Sequence, residues 1–138
     1  MKELKPHHTA ISVRNLDTSL AFYGALGFTE VNRSAFGEAT IVHLTLGGFA
    51  IELFAFPKSA DLPPLDLGFG NGLEVIGLKH IALATDDIDE ALAELQRRGL
   101  ADSSVTVDGL VDGRAKWFFF KDPDGLWVEI IQENRFSL

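Results

Sequence analysis

The stretch His8–Phe28, HTAISVRNLDTSLAFYGALGF, aligns over His80–Leu100, HIALATDDIDEALAELQRRGL, at a constant offset of 72 and without a gap. Six of the 21 positions are identical: His8/His80, Ala10/Ala82, Asp17/Asp89, Leu20/Leu92, Ala21/Ala93 and Gly27/Gly99. Average composition gives about one or two such matches by chance. A second match follows, with GFAIELF from Gly48 over GLWVEII from Gly125, now at an offset of 77. The second half therefore carries five extra residues between helix and hairpin. The chain reads as two copies of one unit. Each copy opens on a His and carries a Glu near its end, 44 residues on in the first and 49 in the second.

Each copy has the same pattern of elements. His8–Val13 and His80–Thr85 alternate as short strands. Asn15 or Asp17, and Asp86 or Asp87, are the candidate N-caps of a following helix. Leu16, Leu20, Tyr23 and Leu26, then Ile88, Leu92 and Leu95, recur at helical spacing. Gly27 and Gly99 stand where a glycine ends a helix. A short strand is expected after each helix, around 29–33 and around 105–107. Gly47-Gly48 then joins two strands into a hairpin, as Asp122-Pro123-Asp124-Gly125 does in the second copy. The fold class expected is α+β, two tandem β-α-β-β-β modules. Residues 1–138 form a single domain on this reading, with module 1 at about 6–56, a linker at 57–78 and module 2 at about 79–133. The linker is rich in Pro and Gly and lacks periodicity, as a connecting or covering loop would.

Composition excludes several chemistries. The 138 residues contain no cysteine, which removes disulfide scaffolds, thiol nucleophiles and thiolate-bound metal centres. The formal net charge of −8 repels phosphate backbones and anionic lipid, and no basic patch offsets it, so neither nucleic acid nor membrane is an expected partner. MKELKPHH lacks the apolar core of a secretory signal, and a cytoplasmic protein is expected. Any metal must be held by oxygen or by the four histidines, His7, His8, His43 and His80.

Strand parity places the chemistry. His8 shares a face with Ala10 and Ser12, and His80 shares one with Ala82 and Ala84. Glu52 lies with Ala50, Phe54 and Phe56, and Glu129 with Trp127 and Ile131. The opposite faces are apolar and suited to packing under the helices. A carboxylate among Phe and Trp is costly unless it is paired or holds a cation. Two imidazoles and two carboxylates at equivalent places suit one divalent ion, with Ni, Co, Mn, Zn or Fe all compatible. His7 falls outside the repeat register and reads as an exposed N-terminal residue. If Gly47-Gly48 is a two-residue turn, His43 faces Glu52 across the hairpin; the same count sets Phe118 opposite Glu129. His43, Phe54, Phe56, Phe118 and Trp127 are thus the candidate substrate-binding residues.

PHHTAISVRNLDTSLAFYGALGF, GFAIELFAF, KHIALATDDIDEALAELQRRG and FKDPDGLWVEIIQ together resemble the vicinal oxygen chelate superfamily, over nearly the whole chain apart from the linker. That group includes glyoxalase I, bleomycin and fosfomycin resistance proteins, methylmalonyl-CoA epimerase and extradiol dioxygenases. The set His8, Glu52, His80 and Glu129 is most similar to the metal ligands of bacterial glyoxalase I. The resemblance implies paired modules curling into a half-barrel around the metal, in a homodimer. It further implies a lyase or isomerase that removes a proton next to a chelated pair of substrate oxygens, with Glu129 as the mobile base and Glu52 as a lasting ligand. Glyoxalase I usually has Arg four residues after its first ligand and Asn four after its second, to hold glutathione. Here these are Ser12 and Phe56, which implies a more apolar substrate. Two other functions fit the family: an iron-dependent extradiol-type ring-cleaving dioxygenase, and a metal-free drug- or metabolite-binding resistance protein.

Overall fold

The computed structural model describes residues 4–61, 73 and 75–134. The chain divides into two compact units, Met1–Leu62 and Pro63–Leu138. Residues 62–72 and 74 of the expected linker lie outside the described residues.

In the first unit the order is β1 (Thr9–Val13), α1 (Leu16–Ala25), β2 (Thr29–Phe36), β3 (Ala39–Leu46) and β4 (Phe49–Ala55). The second repeats it with β5 (His80–Ala84), α2 (Ile88–Arg97), β6 (Asp108–Gly109), β7 (Ala115–Lys121) and β8 (Trp127–Glu133). Each unit is one open, mixed sheet of four strands, ordered β1-β4-β3-β2 and β5-β8-β7-β6. The first strand of each lies parallel to the last, and the remaining pairings are antiparallel. The β-α-β-β-β expectation is met in both halves.

The caps explain why the two helices keep the offset of the repeat. The Asn15 side chain accepts from Thr18 N at 2.9 Å and the Asp87 side chain accepts from Glu90 N at 2.9 Å. Each satisfies a backbone donor that the first helical turn leaves without a partner. Asn15 and Asp87 are therefore the caps, rather than Asp17 and Asp86. At the other ends Gly27 and Gly99 adopt φ of 101° and 71°, a conformation that an L side chain resists.

One face of each sheet forms the core. Ile11, Val13, Val42, Leu44, Ile51 and Leu53 are buried in the first unit, and Phe118, Phe120, Val128 and Ile130 in the second. These are alternate positions of neighbouring strands, as a pleated sheet with one covered face requires. Phe22 and Tyr23 of α1 are buried with them, and Tyr23, Phe28 and Phe49 meet edge to face at ring-centre distances of 5.9 and 6.2 Å. Ile88 and Leu95 do the same for α2.

Two strand expectations need correction. The second strand of module 1 runs on to Phe36 rather than stopping near 33. Its counterpart in module 2 is only Asp108–Gly109, beyond the expected 105–107. A turn occupies the earlier positions: Asp102 accepts from Ser104 N, and Val105 N donates back to Asp102 O. Gln96 ties this turn to α2 through bonds to the carbonyls of Asp102 and Val105. The hydroxyl and the N–H of Ser104 hold the Asp102 carboxyl below its usual range. Among the described residues, no helix is long and apolar enough to cross a membrane.

Candidate functional site

The face away from the core carries the titratable groups in both units. In the first, Ala10 pairs with Glu52 and His43 pairs with Glu52 across β1, β4 and β3, so all three share one face. His8 Nε2 lies 3.2 Å from Glu52 Oε2, and His43 Nε2 lies 3.1 Å from Glu52 Oε1. The two imidazoles thus approach different oxygens of one carboxylate. In the second unit Ala82 pairs with Glu129, and His80 Nε2 lies 2.9 Å from Glu129 Oε2. All five side chains are partly buried. The structure brings each expected His–Glu pair together within its own module.

His43 comes to its place through the turn. Gly47 and Gly48 have φ of 54° and 84°, the pair of positive values that a two-residue hairpin turn needs. Leu46 therefore pairs with Phe49, and three steps further back His43 meets Glu52. The expectation for this hairpin is met.

The second hairpin differs. Lys121 pairs with Trp127, so five residues, 122–126, make the loop, and Phe119 rather than Phe118 faces Glu129. Asp122 is responsible. Its carboxylate accepts from the N–H groups of Asp124 and Leu126, and its own N–H donates to Leu126 O at 2.8 Å. Leu126 is drawn into the loop, and the one-residue change reverses every side chain beyond it. Phe118, only 1% exposed, lies instead on the core face opposite Ile130. Phe119 takes its place, packing edge to face against His80 at 5.3 Å and against Trp127 at 6.3 Å. Lys121 also reaches this wall, with Nζ 4.9 Å from the centre of the Trp127 ring. Phe54 is on the same face of β4 as Glu52, and Phe56 follows the strand's end, 44% exposed.

Residues outside the sequence expectation also enter. His7 is exposed, as expected, yet its Nδ1 lies 2.7 Å from His8 Nδ1, which steadies the His8 ring from behind. Asn32 Nδ2 lies 3.3 Å from His43 Nδ1. Asn32 had no signature in the pattern, because a bulge in β2 moves it onto this face.

Among the described residues, no group of three or more His, Asp or Glu side chains is gathered in a form that could hold a metal ion. Imidazole and carboxylate are donor types that a divalent ion accepts; the His8–Glu52 and His80–Glu129 separations of 3.2 and 2.9 Å are those of direct imidazole–carboxylate contacts.

The sequence profile of the Glyoxalase/Bleomycin resistance protein/Dioxygenase superfamily matches residues 5–130. The chain belongs to this superfamily. Among relatives of this superfamily member, the Escherichia coli K12 protein YaeR is 37% identical, over 92% of this chain and 95% of its own. A lactoylglutathione lyase of Pseudomonas putida is 26% identical, over 91% of this chain and 83% of its own. The crystal structure of a glyoxalase family protein from Enterococcus faecalis superposes with a TM-score of 0.73 at 31% identity. That superposition covers 94% of this chain and 97% of the other.

Proposed function

We propose that the protein is a metal-dependent lyase or isomerase of glyoxalase I type. On this reading it acts by proton abstraction from a small substrate that carries two neighbouring oxygens. The observation that carries the reading is the recurrence, in both modules, of a His Nε2 beside a Glu Oε on the sheet face away from the core, at 3.2 and 2.9 Å. His8, Glu52, His80 and Glu129 are the proposed ligands. A divalent ion held by them supplies positive charge at the substrate's oxygens and so acidifies the adjacent C–H bond.

The chain's own groups then have separate tasks. Glu129 is the proposed general base, taking the proton from one carbon and returning it to the next. His80 Nε2 stands 2.9 Å from one oxygen of that carboxylate, and Phe119 packs on the His80 ring. Trp127 and Ile131, flanking Glu129 on its face, keep bulk water from the carboxylate. The substrate body is proposed to rest on Phe54, Phe56, Phe119 and Trp127. Ser12 and Phe56 offer neither a cation nor an amide to a peptide thiol, so glutathione is not the proposed cosubstrate. A homodimer is the proposed active form, in the cytoplasm.

Metal content by mass spectrometry tests the reading. One divalent ion per chain is expected in the wild type, and near-complete loss in Glu52→Ala and in Glu129→Ala alike. Failure to take up any divalent ion on reconstitution sinks the proposal and favours a binding protein; native iron with ring-cleaving activity favours the dioxygenase.

A further inference from the structure

Val31 is the extra residue of a β-bulge. Thr29 pairs with Thr45 and Glu30 with Leu44, a register that would next set Val31 opposite His43. The register instead shifts by one, and Asn32 faces His43. Glu30 and Arg33, which an unbroken strand would send to opposite faces, come to the same face and are joined across the bulge by two bonds of 2.8 Å. A bidentate pair of this kind fixes geometry as well as adding energy. The bulge thus replaces a valine by an amide on the face that carries Glu52.

His43 consequently has a partner at each ring nitrogen: Glu52 Oε1 at 3.1 Å from Nε2, and Asn32 Nδ2 at 3.3 Å from Nδ1. A carboxylate only accepts, so Nε2 carries the hydrogen. An imidazole with its hydrogen there accepts at Nδ1, and the Asn32 amide provides the donor. With one ring nitrogen on Glu52 and the other on Asn32, and with no counterpart in module 2, His43 is placed to serve Glu52.

The geometry points to Asn32 and His43 as positioning residues that lock Glu52 Oε1 and leave Oε2 beside His8 Nε2 for a metal. This rests on the reading of Glu52 as a ligand. The row crosses the sheet from Asn32 on β2 through His43 on β3 and Glu52 on β4 to His8 at the head of β1. It is not a requirement of the module, because module 2 has Phe119 at the place opposite Glu129. Groups that hold a ligand from behind in this way commonly govern metal affinity by 10- to 100-fold, about the effect expected here.

Two measurements test it. Long-range proton–nitrogen NMR of the metal-free full chain is expected to show His43 with its hydrogen on Nε2. Cobalt(II) titration is expected to give a dissociation constant about 10- to 100-fold weaker in His43→Phe and in Asn32→Asp. His43→Gln, whose amide can still donate to Oε1, should return near the wild-type value. A wild-type His43 with its hydrogen on Nδ1, undiminished cobalt affinity in His43→Phe, or failure of His43→Gln to restore it each overturns the positioning role alone. A wild type that takes up no cobalt overturns the metal reading and this one with it.

Discussion

His80 Nε2 and Glu129 Oε2 stand 2.9 Å apart on one face of module 2, and the chain repeats this relationship in module 1 with His8 and Glu52 at 3.2 Å. The pairs are alike in geometry but are assigned different work, which Glu→Gln variants can separate. Glu129→Gln should lower turnover by about 100- to 10,000-fold, the range of a lost general base. Glu52→Gln should instead act through metal occupancy, and raising the metal concentration should recover much of its activity. Equal recovery of both variants by added metal would remove the distinct role of Glu129.

The aromatic wall makes a prediction about the substrate. Phe119 and Trp127 lie on one face with Glu129, and on the proposed reading Ser12 and Phe56 take the places of the cation and the amide with which glyoxalase I holds glutathione. Burying one aromatic ring contributes about 1.5–3 kcal/mol, equivalent to about tenfold or more in affinity. The methylglyoxal adduct of benzyl mercaptan should accordingly be isomerised with a kcat/KM at least about tenfold above that of the glutathione adduct. A preference for the glutathione adduct in steady-state kinetics would refute the apolar assignment.

Within each module the face bearing the His and the Glu was legible in the sequence, because strand parity is a strict rule and the duplication supplied it twice. The turn at Gly47-Gly48 followed from residue chemistry, which also narrowed each cap to two neighbouring candidates, from which the structure selects Asn15 and Asp87. What escaped were single-residue changes of register. Asp122 draws Leu126 into its loop and exchanges Phe118 for Phe119, while Val31 drops out of the β2 ladder and exchanges itself for Asn32. The first had a sign, since an Asp that opens a turn often bonds backbone N–H groups ahead of it. The second had none, because a bulge is set by the partner strand as much as by its own residues.

The hairpin at Gly47-Gly48 should be sensitive for a reason independent of the site. Both glycines hold positive φ, with open space around each for a methyl group, so a Cβ brings conformational strain and no clash. Gly48→Ala should cost about 1–2 kcal/mol of stability, read from the midpoint of urea unfolding. Because the turn fixes the pairing of His43 with Glu52, insertion of one residue between the glycines should cost more and should also weaken cobalt binding. Unchanged stability in Gly48→Ala would show that the turn tolerates another backbone form.

Ser19 offers a gain instead of a loss. It lies in the buried face of α1 at 1% exposure, and its Oγ has no hydrogen-bond partner among the described residues. A buried hydroxyl without a partner forfeits its hydration, and serine is a weaker helix former than alanine. Ser19→Ala removes one oxygen and opens only a small space beside Phe22 and Tyr23, whose rings meet edge to face at 5.1 Å. The cost of that space is smaller than the gain from deleting the hydroxyl. Ser19→Ala should therefore stabilise the protein by about 1 kcal/mol, seen as a higher urea midpoint with an unchanged slope, and should leave metal uptake as in the wild type. A fall in stability would mean that the hydroxyl is satisfied in solution, by water or by a shifted rotamer bonding back to the Asn15 carbonyl one turn earlier, which already accepts from Ser19 N at 3.1 Å.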